Sequence, residues 1–149
     1  MLCNTAPKIG TPQMWNERVS TLREYGMAHL GDTNLARWFA PSFAQQEPAA
    51  YRGSYNMLIR TSIEGYTGAC EAIRDADMGA ATGAIKAQPL VICGVEDLVT
   101  TSDAGRELAD TMPNARFAEI EGAAHLPCIE QPEVIATAIR QFLKGNGYV

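Results

Sequence analysis

The stretch Leu90-Val91-Ile92-Cys93-Gly94-Val95-Glu96-Asp97 sets four apolar residues ahead of a glycine and two acids. A short continuous apolar run of this kind fits a parallel strand buried on both faces. Beyond it, Ser102 or Asp103 starts a helix with Leu108, Ala109 and Met112 along one side, broken by Pro113-Asn114. Arg116 to Ile120 reads as the next strand, and Gly122-Ala123-Ala124-His125 is the loop behind it. Strand, helix and strand in this order predict a right-handed parallel crossover. The last helix starts at Gln131-Pro132 and carries Ile135, Ala138, Ile139, Phe142 and Leu143 on one stripe, with Lys144 in its last turn and Gly145 as the stop.

On the other side of this unit, Met1 to Cys3 reads as a strand that runs straight into the loop Asn4 to Gly10. Thr11-Pro12 gives an N-cap followed by proline at the first helical position, where its missing N–H is harmless. Trp15, Val19, Leu22 and Gly26 then fall at helical spacing, which predicts one apolar face up to about Leu30. Asp32 or Thr33 can cap a second short helix with Leu35, Trp38 and Phe39, ended by Pro41, and further helical stretches follow around Ala44 to Leu58 and Glu64 to Ile73. The expected organisation is therefore 1–10, a strand and loop; 11–75, helical without strand signal; and 76–149, alternating strand and helix. The fold class is α/β, a short parallel sheet of three strands flanked by helices.

Composition narrows the chemistry. The 149 residues, 46% hydrophobic and 19% charged, fit an ordinary globular chain with one modest core. A net charge of −5, with Lys8, Lys86 and Lys144 far apart, argues against a nucleic-acid partner. No apolar run approaches the roughly 20 residues needed to span a bilayer, so no membrane partner is expected. Pro7, Lys8 and Gly10 interrupt the N-terminus as no signal peptide would be, and a cytoplasmic setting follows. Cys3, Cys70, Cys93 and Cys128 lack C-x-x-C spacing and read as buried thiols; a zinc site from Cys93, His125 and Cys128 finds no support in paired-ligand spacing. No metal and no cofactor are expected.

In open parallel sheets, the loops at the carboxyl ends of the strands converge on the ligand crevice. Asp97 lies on one such loop and His125 on the equivalent loop after the neighbouring strand, about 4.8 Å away. A carboxylate that accepts from one ring nitrogen fixes the tautomer and leaves the other free to deprotonate a hydroxyl. Acid then histidine is the order in which the second half of a Ser-Asp-His hydrolase runs. The serine is missing: no G-x-S-x-G occurs, and Ser42, Ser54, Ser62 and Ser102 all lack the paired flanking glycines. Asp97 is the favoured acid, with Glu96 and Asp103 as alternatives. Glu130 reads as an acid stabilised by the dipole of the last helix, and His29 as a helix-end residue favourable to the dipole.

Gly94-x-x-Asp97 and Gly122-x-x-His125 with Glu130-Gln131-Pro132 resemble the C-terminal half of the α/β-hydrolase fold. Asn4-Thr5-Ala6-Pro7-Lys8-Ile9-Gly10-Thr11-Pro12, Trp15-Asn16-Glu17-Arg18, Ala36-Arg37-Trp38-Phe39-Ala40-Pro41 and Cys70-Glu71-Ala72-Ile73-Arg74-Asp75-Ala76-Asp77 resemble, more narrowly, the 3-oxoadipate enol-lactonases. The likeness runs over essentially the whole chain. It implies that Met1 falls at the sixth strand of the family's sheet, with the nucleophile and the oxyanion-hole amides upstream on a complementary N-terminal half. It further implies a cofactor-free hydrolase that opens a small lactone bearing a carboxymethyl group, residues 11–75 forming the lid and Trp38 facing the substrate. An anionic substrate needs local positive charge, for which Arg37, Arg60 and Arg74 are candidates.

Two other readings share parts of this pattern. Another lidded hydrolase, an esterase or a cofactor-free haloperoxidase, would keep Asp97 and His125 and differ in the lid. A non-catalytic fragment or interaction module would use neither residue for chemistry.

Overall fold

The computed structural model describes residues 1–148. Three parallel strands, β1 (Leu2–Cys3), β2 (Leu90–Gly94) and β3 (Arg116–Ile120), lie in the order β1-β2-β3. β2 is central, with Leu2 opposite Val91 on one side and Leu90 to Gly94 opposite Arg116 to Ile120 on the other. All five residues of β2 are buried, and the strand's period of two sorts them between two faces. Leu90 and Ile92 pack with Ile120, Ile135 and Phe142 under the last helix, α9 (Pro132–Gly145). Val91 and Cys93 pack with Leu108 and Ala109 of α7 (Ser102–Asp110) and with Met112 just beyond it.

Between β1 and β2 the chain forms α1 (Pro12–Tyr25), α2 (Met27–Trp38), α3 (Phe43–Gln46), α4 (Pro48–Ile59), α5 (Ile63–Asp75) and α6 (Gly79–Thr82). Thr11 caps α1 by accepting from the Met14 N–H, and Pro12 occupies its first position. The apolar face does not continue to Leu30 as one helix. Gly26, at φ 78°, ends α1 and turns the chain directly into α2, so Asp32 and Thr33 lie inside a helix rather than capping one. A left-handed φ of this kind stops a helix at little cost only when the residue has no Cβ. Leu22, Met27, Leu30, Leu35, Phe39, Phe43 and Leu58 form a core of their own, which reaches the strand-bearing part through Leu126. A smaller cluster joins Trp15 and Val19 of α1 to Cys70 of α5.

Two one-turn helices, α6 and α8 (Pro127–Glu130), carry no periodic signal in the sequence. α9 runs through Gly145 and is capped at Asn146 instead of stopping before the glycine. Among the described residues, no helix is long and apolar enough to cross a membrane.

Candidate active site

Asp97 sits in the turn that follows β2, 3% exposed, and its carboxylate accepts from every side. Oδ1 takes the backbone N–H groups of Val99 at 2.6 Å and Thr100 at 3.1 Å, a local turn that Asp is built to make. Oδ2 takes the Thr100 hydroxyl at 2.8 Å, the Asn4 amide at 2.7 Å and His125 Nδ1 at 2.9 Å. Burial pushes this carboxyl up, but the bonds from His125, the Val99 N–H and Asn4 outweigh it and hold Asp97 below the ordinary carboxylate value. With Nδ1–H donating to Asp97, the lone pair of His125 is on Nε2, and His125 faces a cavity of about 270 Å³.

The backbone brings these two loops together. Val95 N–H donates to Ile120 O at 3.1 Å, and Glu96 N–H donates to Ala123 O at 3.0 Å. The close approach requires Gly94, since a Cβ there would run into the carbonyl oxygens of Ala123 and Ala124. Asn4, in the left-handed region at φ 44°, completes the joint: its N–H continues the ladder to Ile92 O at 2.9 Å and its amide ties Asp97 to Ala124 O. Glu96 and Asp103 are exposed, and among the described residues only Asp97 of the three acids hydrogen-bonds His125. Asn4 was not singled out from sequence; its partners lie some 93 and 120 residues away, and only its place directly after a strand marks it.

The cavity is walled by α1, α2 and α5, with Trp38 and Trp15 on its lining. Arg37 also lines it and donates to Leu98 O at 3.1 Å. The other two candidate arginines lie elsewhere. Arg60 is exposed at the end of α4, and Arg74 bonds Asp75 at 2.8 Å and Asn16 at 2.9 Å on the outer surface. The cation that sequence reasoning missed is Arg18, which projects from α1 onto the cavity. Its guanidinium donates to Asn34 Oδ1 at 2.6 Å and to the Tyr66 hydroxyl at 2.9 Å, and lies 5.7 Å from the Trp15 ring. Among the described residues, no carboxylate pairs with Arg18 or Arg37. Two cations without acid partners, beside an imidazole, suit a carboxylate-bearing ligand.

Other residues correct the sequence reading. His29 stands in the first turn of α2, where the dipole disfavours a cation, and its ring lies tilted against Tyr25, centroids 4.9 Å apart. Glu130 closes α8 and accepts from the backbone of Ala40 at 2.7 Å and Ala124 at 2.8 Å instead of serving the α9 dipole. Cys70 and Cys93 are buried, whereas Cys3 and Cys128 are exposed. Burial, then the Asp97 charge, pushes the Cys93 thiol up to about 11. No group of three or more potential metal ligands occurs among the described residues. Nor does any serine hydrogen-bond His125 among them: Ser54 and Ser102 donate to Ala50 O and Glu119, and Ser62 caps α5.

Comparison with known proteins gives a consistent set. No protein-family model matches the chain. It is 33% identical to 3-oxoadipate enol-lactonase 2 of Acinetobacter baylyi over 144 residues, 97% of this chain and 54% of that protein. Among solved structures, the enol-lactonase of Burkholderia xenovorans LB400 superposes with a TM-score of 0.91 at 37% identity, covering 95% of this chain and 54% of the other. A thermophilic esterase of Thermogutta terrifontis, with malate bound, superposes with a TM-score of 0.88 at 25% identity, over 97% and 54%. The chain thus spans about half the length of the curated relatives it matches.

Proposed function

We propose, for a chain that belongs to the α/β-hydrolase fold family, that it supplies the acid, the base and the substrate pocket of an enol-lactone hydrolase. The reaction proposed is the opening of 3-oxoadipate enol-lactone to 3-oxoadipate in the degradation of aromatic compounds. A cytoplasmic setting goes with it, and the nucleophilic serine is proposed to come from an N-terminal half outside this sequence. The observation that carries the reading is the Asp97–His125 pair at 2.9 Å, opening on a cavity with two arginines that have no acid partner among the described residues. The 33% identity to an enol-lactonase adds support, as does the bound malate, a carboxylate-bearing molecule, in the esterase neighbour.

In this reading, His125 Nε2 takes the proton of the serine hydroxyl as its oxygen bonds to the lactone carbonyl carbon. The ring C–O bond then breaks, and the imidazolium returns the proton to the departing enol oxygen. Water, deprotonated by the same nitrogen, bonds to the acyl carbon, the serine–acyl C–O bond breaks, and the imidazolium returns the proton to the serine oxygen. Asp97 holds the tautomer and offsets the imidazolium charge. Arg18 and Arg37 hold the carboxylate, Trp38 covers the ring, and residues 11–75 act as the lid.

The test is selectivity. With a serine-bearing half supplied, the anionic enol-lactone should be turned over in preference to a neutral ester of similar size, and Arg18→Ala should remove the preference. Equal use of both substrates, unaltered by Arg18→Ala, favours the esterase alternative. No hydrolysis with any ester favours the interaction module.

A further inference from the structure

The base of the proposed reaction is tied to the pocket wall by a clamp that the catalytic pair does not include. At the end of α2, the Trp38 carbonyl accepts from two consecutive N–H groups of the histidine loop, His125 at 3.0 Å and Leu126 at 3.2 Å. Two residues on, the Ala40 N–H donates to Glu130 Oε1 at 2.7 Å, while the other oxygen of the same carboxylate takes the Ala124 N–H at 2.8 Å. Segments 38–40 and 124–126 are thereby joined by four hydrogen bonds, two of them through one side chain. Ala40 and Ala124 are 2% and 1% exposed, so neither N–H can turn to water if the carboxylate is lost.

We infer that Glu130 is a positioning residue: it holds His125 at its working place and fixes that place relative to Trp38. This rests on the reading of His125 as the base. The geometry asks for a carboxylate in particular, because it is acceptor-only at both oxygens. Glutamine, equal in volume, offers one acceptor and would aim an NH2 group at the second N–H. Aspartate is one methylene shorter and falls short of spanning two segments already at 2.7 and 2.8 Å. Burial lifts the Glu130 carboxyl above its ordinary value, against the opposing pull of the Ala40, Ala124 and Leu126 N–H groups. That balance is what a half-sunk carboxylate bridging two backbones should show.

The experiment uses the 149-residue chain itself, unaltered and as Glu130→Gln and Glu130→Ala, with Glu133→Gln as the control and far-ultraviolet circular dichroism as the check on folding. Nuclear magnetic resonance follows solvent exchange of the Ala40 and Ala124 amides, of the His125 Nδ1 proton, and of the Trp15 indole proton, which is bonded to Ile9 O and shares no hydrogen bond with the clamp. In Glu130→Gln, exchange at Ala40 or Ala124 and at His125 Nδ1 should speed up together by about tenfold to a hundredfold, with Trp15 and Glu133→Gln unchanged. Glu130→Ala should add the second amide. Equal acceleration everywhere, Trp15 included, would reduce Glu130 to general stability and overturn the inference. So would faster amides beside an unmoved His125 proton.

Activity separates this inference from the reading beneath it. With the serine half supplied, Glu130→Gln should lower kcat by about tenfold or more and leave the acid-side pH profile in place. If His125→Ala abolishes turnover while Glu130→Gln leaves kcat as it was, the clamp is wrong and the reading stands. If His125→Ala leaves turnover intact, the reading falls, whatever the exchange data show.

Discussion

The loop after β2 and the helical segment from α1 to α5 are specified by opposite means. Around Asp97, five donors converge on one carboxylate, and the two loops approach so closely that only glycine fits at position 94. The helical segment is fixed by apolar packing of residues such as Leu22, Leu35 and Phe39, with one polar cluster at Arg18 facing the cavity. Directional bonds fail at single atoms, whereas packed layers give way by degrees. Chemistry should therefore collapse on substitution in the loop, and shift gradually on substitution in the helices.

The sharpest contrast lies between neighbours. With a serine half supplied, Asp97→Asn should cost up to about four orders of magnitude in kcat, because the imidazole loses its oriented tautomer. The exposed Glu96→Gln should change it less than about twofold, and the reverse pattern in steady-state kinetics would assign the acid to Glu96. Glycines give the second contrast. Gly94→Ala should destabilise the chain by about 3 kcal/mol or more in urea unfolding, since backbone must move to admit the methyl group. Gly53, inside α4 with open space around it, should gain about 0.5–1 kcal/mol from the same change.

Arg18→Ala tests the gradual side. It should raise KM for the anionic substrate by about tenfold and leave kcat within about threefold, the mark of an interaction made equally in ground and transition states. The smallest expected effect is on the acid limb of stability. Asp97 is depressed when folded, so it contributes stability above its unfolded value, near 3.9, and loses it as pH falls through the lower folded value. Glu130 is raised, and its contribution is present below its unfolded value and fades as pH rises through the folded one. Asp97→Asn should flatten the dependence of unfolding free energy on pH below about 4. An unchanged slope in urea titrations would mean that another group carries it.

What was legible in the sequence follows the same division. β2 and β3 stood out because their signals are local: an apolar run, flanking proline and glycine, and two loops at fixed offsets that place Asp97 and His125. The break at Gly26 was missed because apolar spacing carries across it, and only the left-handed φ reveals the turn. Arg18 gave no sign of facing a cavity, since most helix arginines are solvated and its partners Asn34 and Tyr66 come from two other helices. Glu130 looked like an ordinary helix-terminal acid because one of its two acceptors serves a residue 90 positions away. Periodicity reports what a segment does to itself; these contacts report what distant segments do to one another.

The most direct test of the central claim, that Asp97 and His125 work on a serine brought from elsewhere, is reconstitution. The 149-residue chain is mixed with the N-terminal half of an enol-lactonase relative, and enol-lactone hydrolysis is followed, with association of the two pieces measured separately. No sustained turnover is expected from this chain alone, turnover is expected from the mixture, and that turnover should be lost in His125→Ala with association unchanged. Turnover by the chain alone, or a reconstituted activity indifferent to His125→Ala, would contradict it.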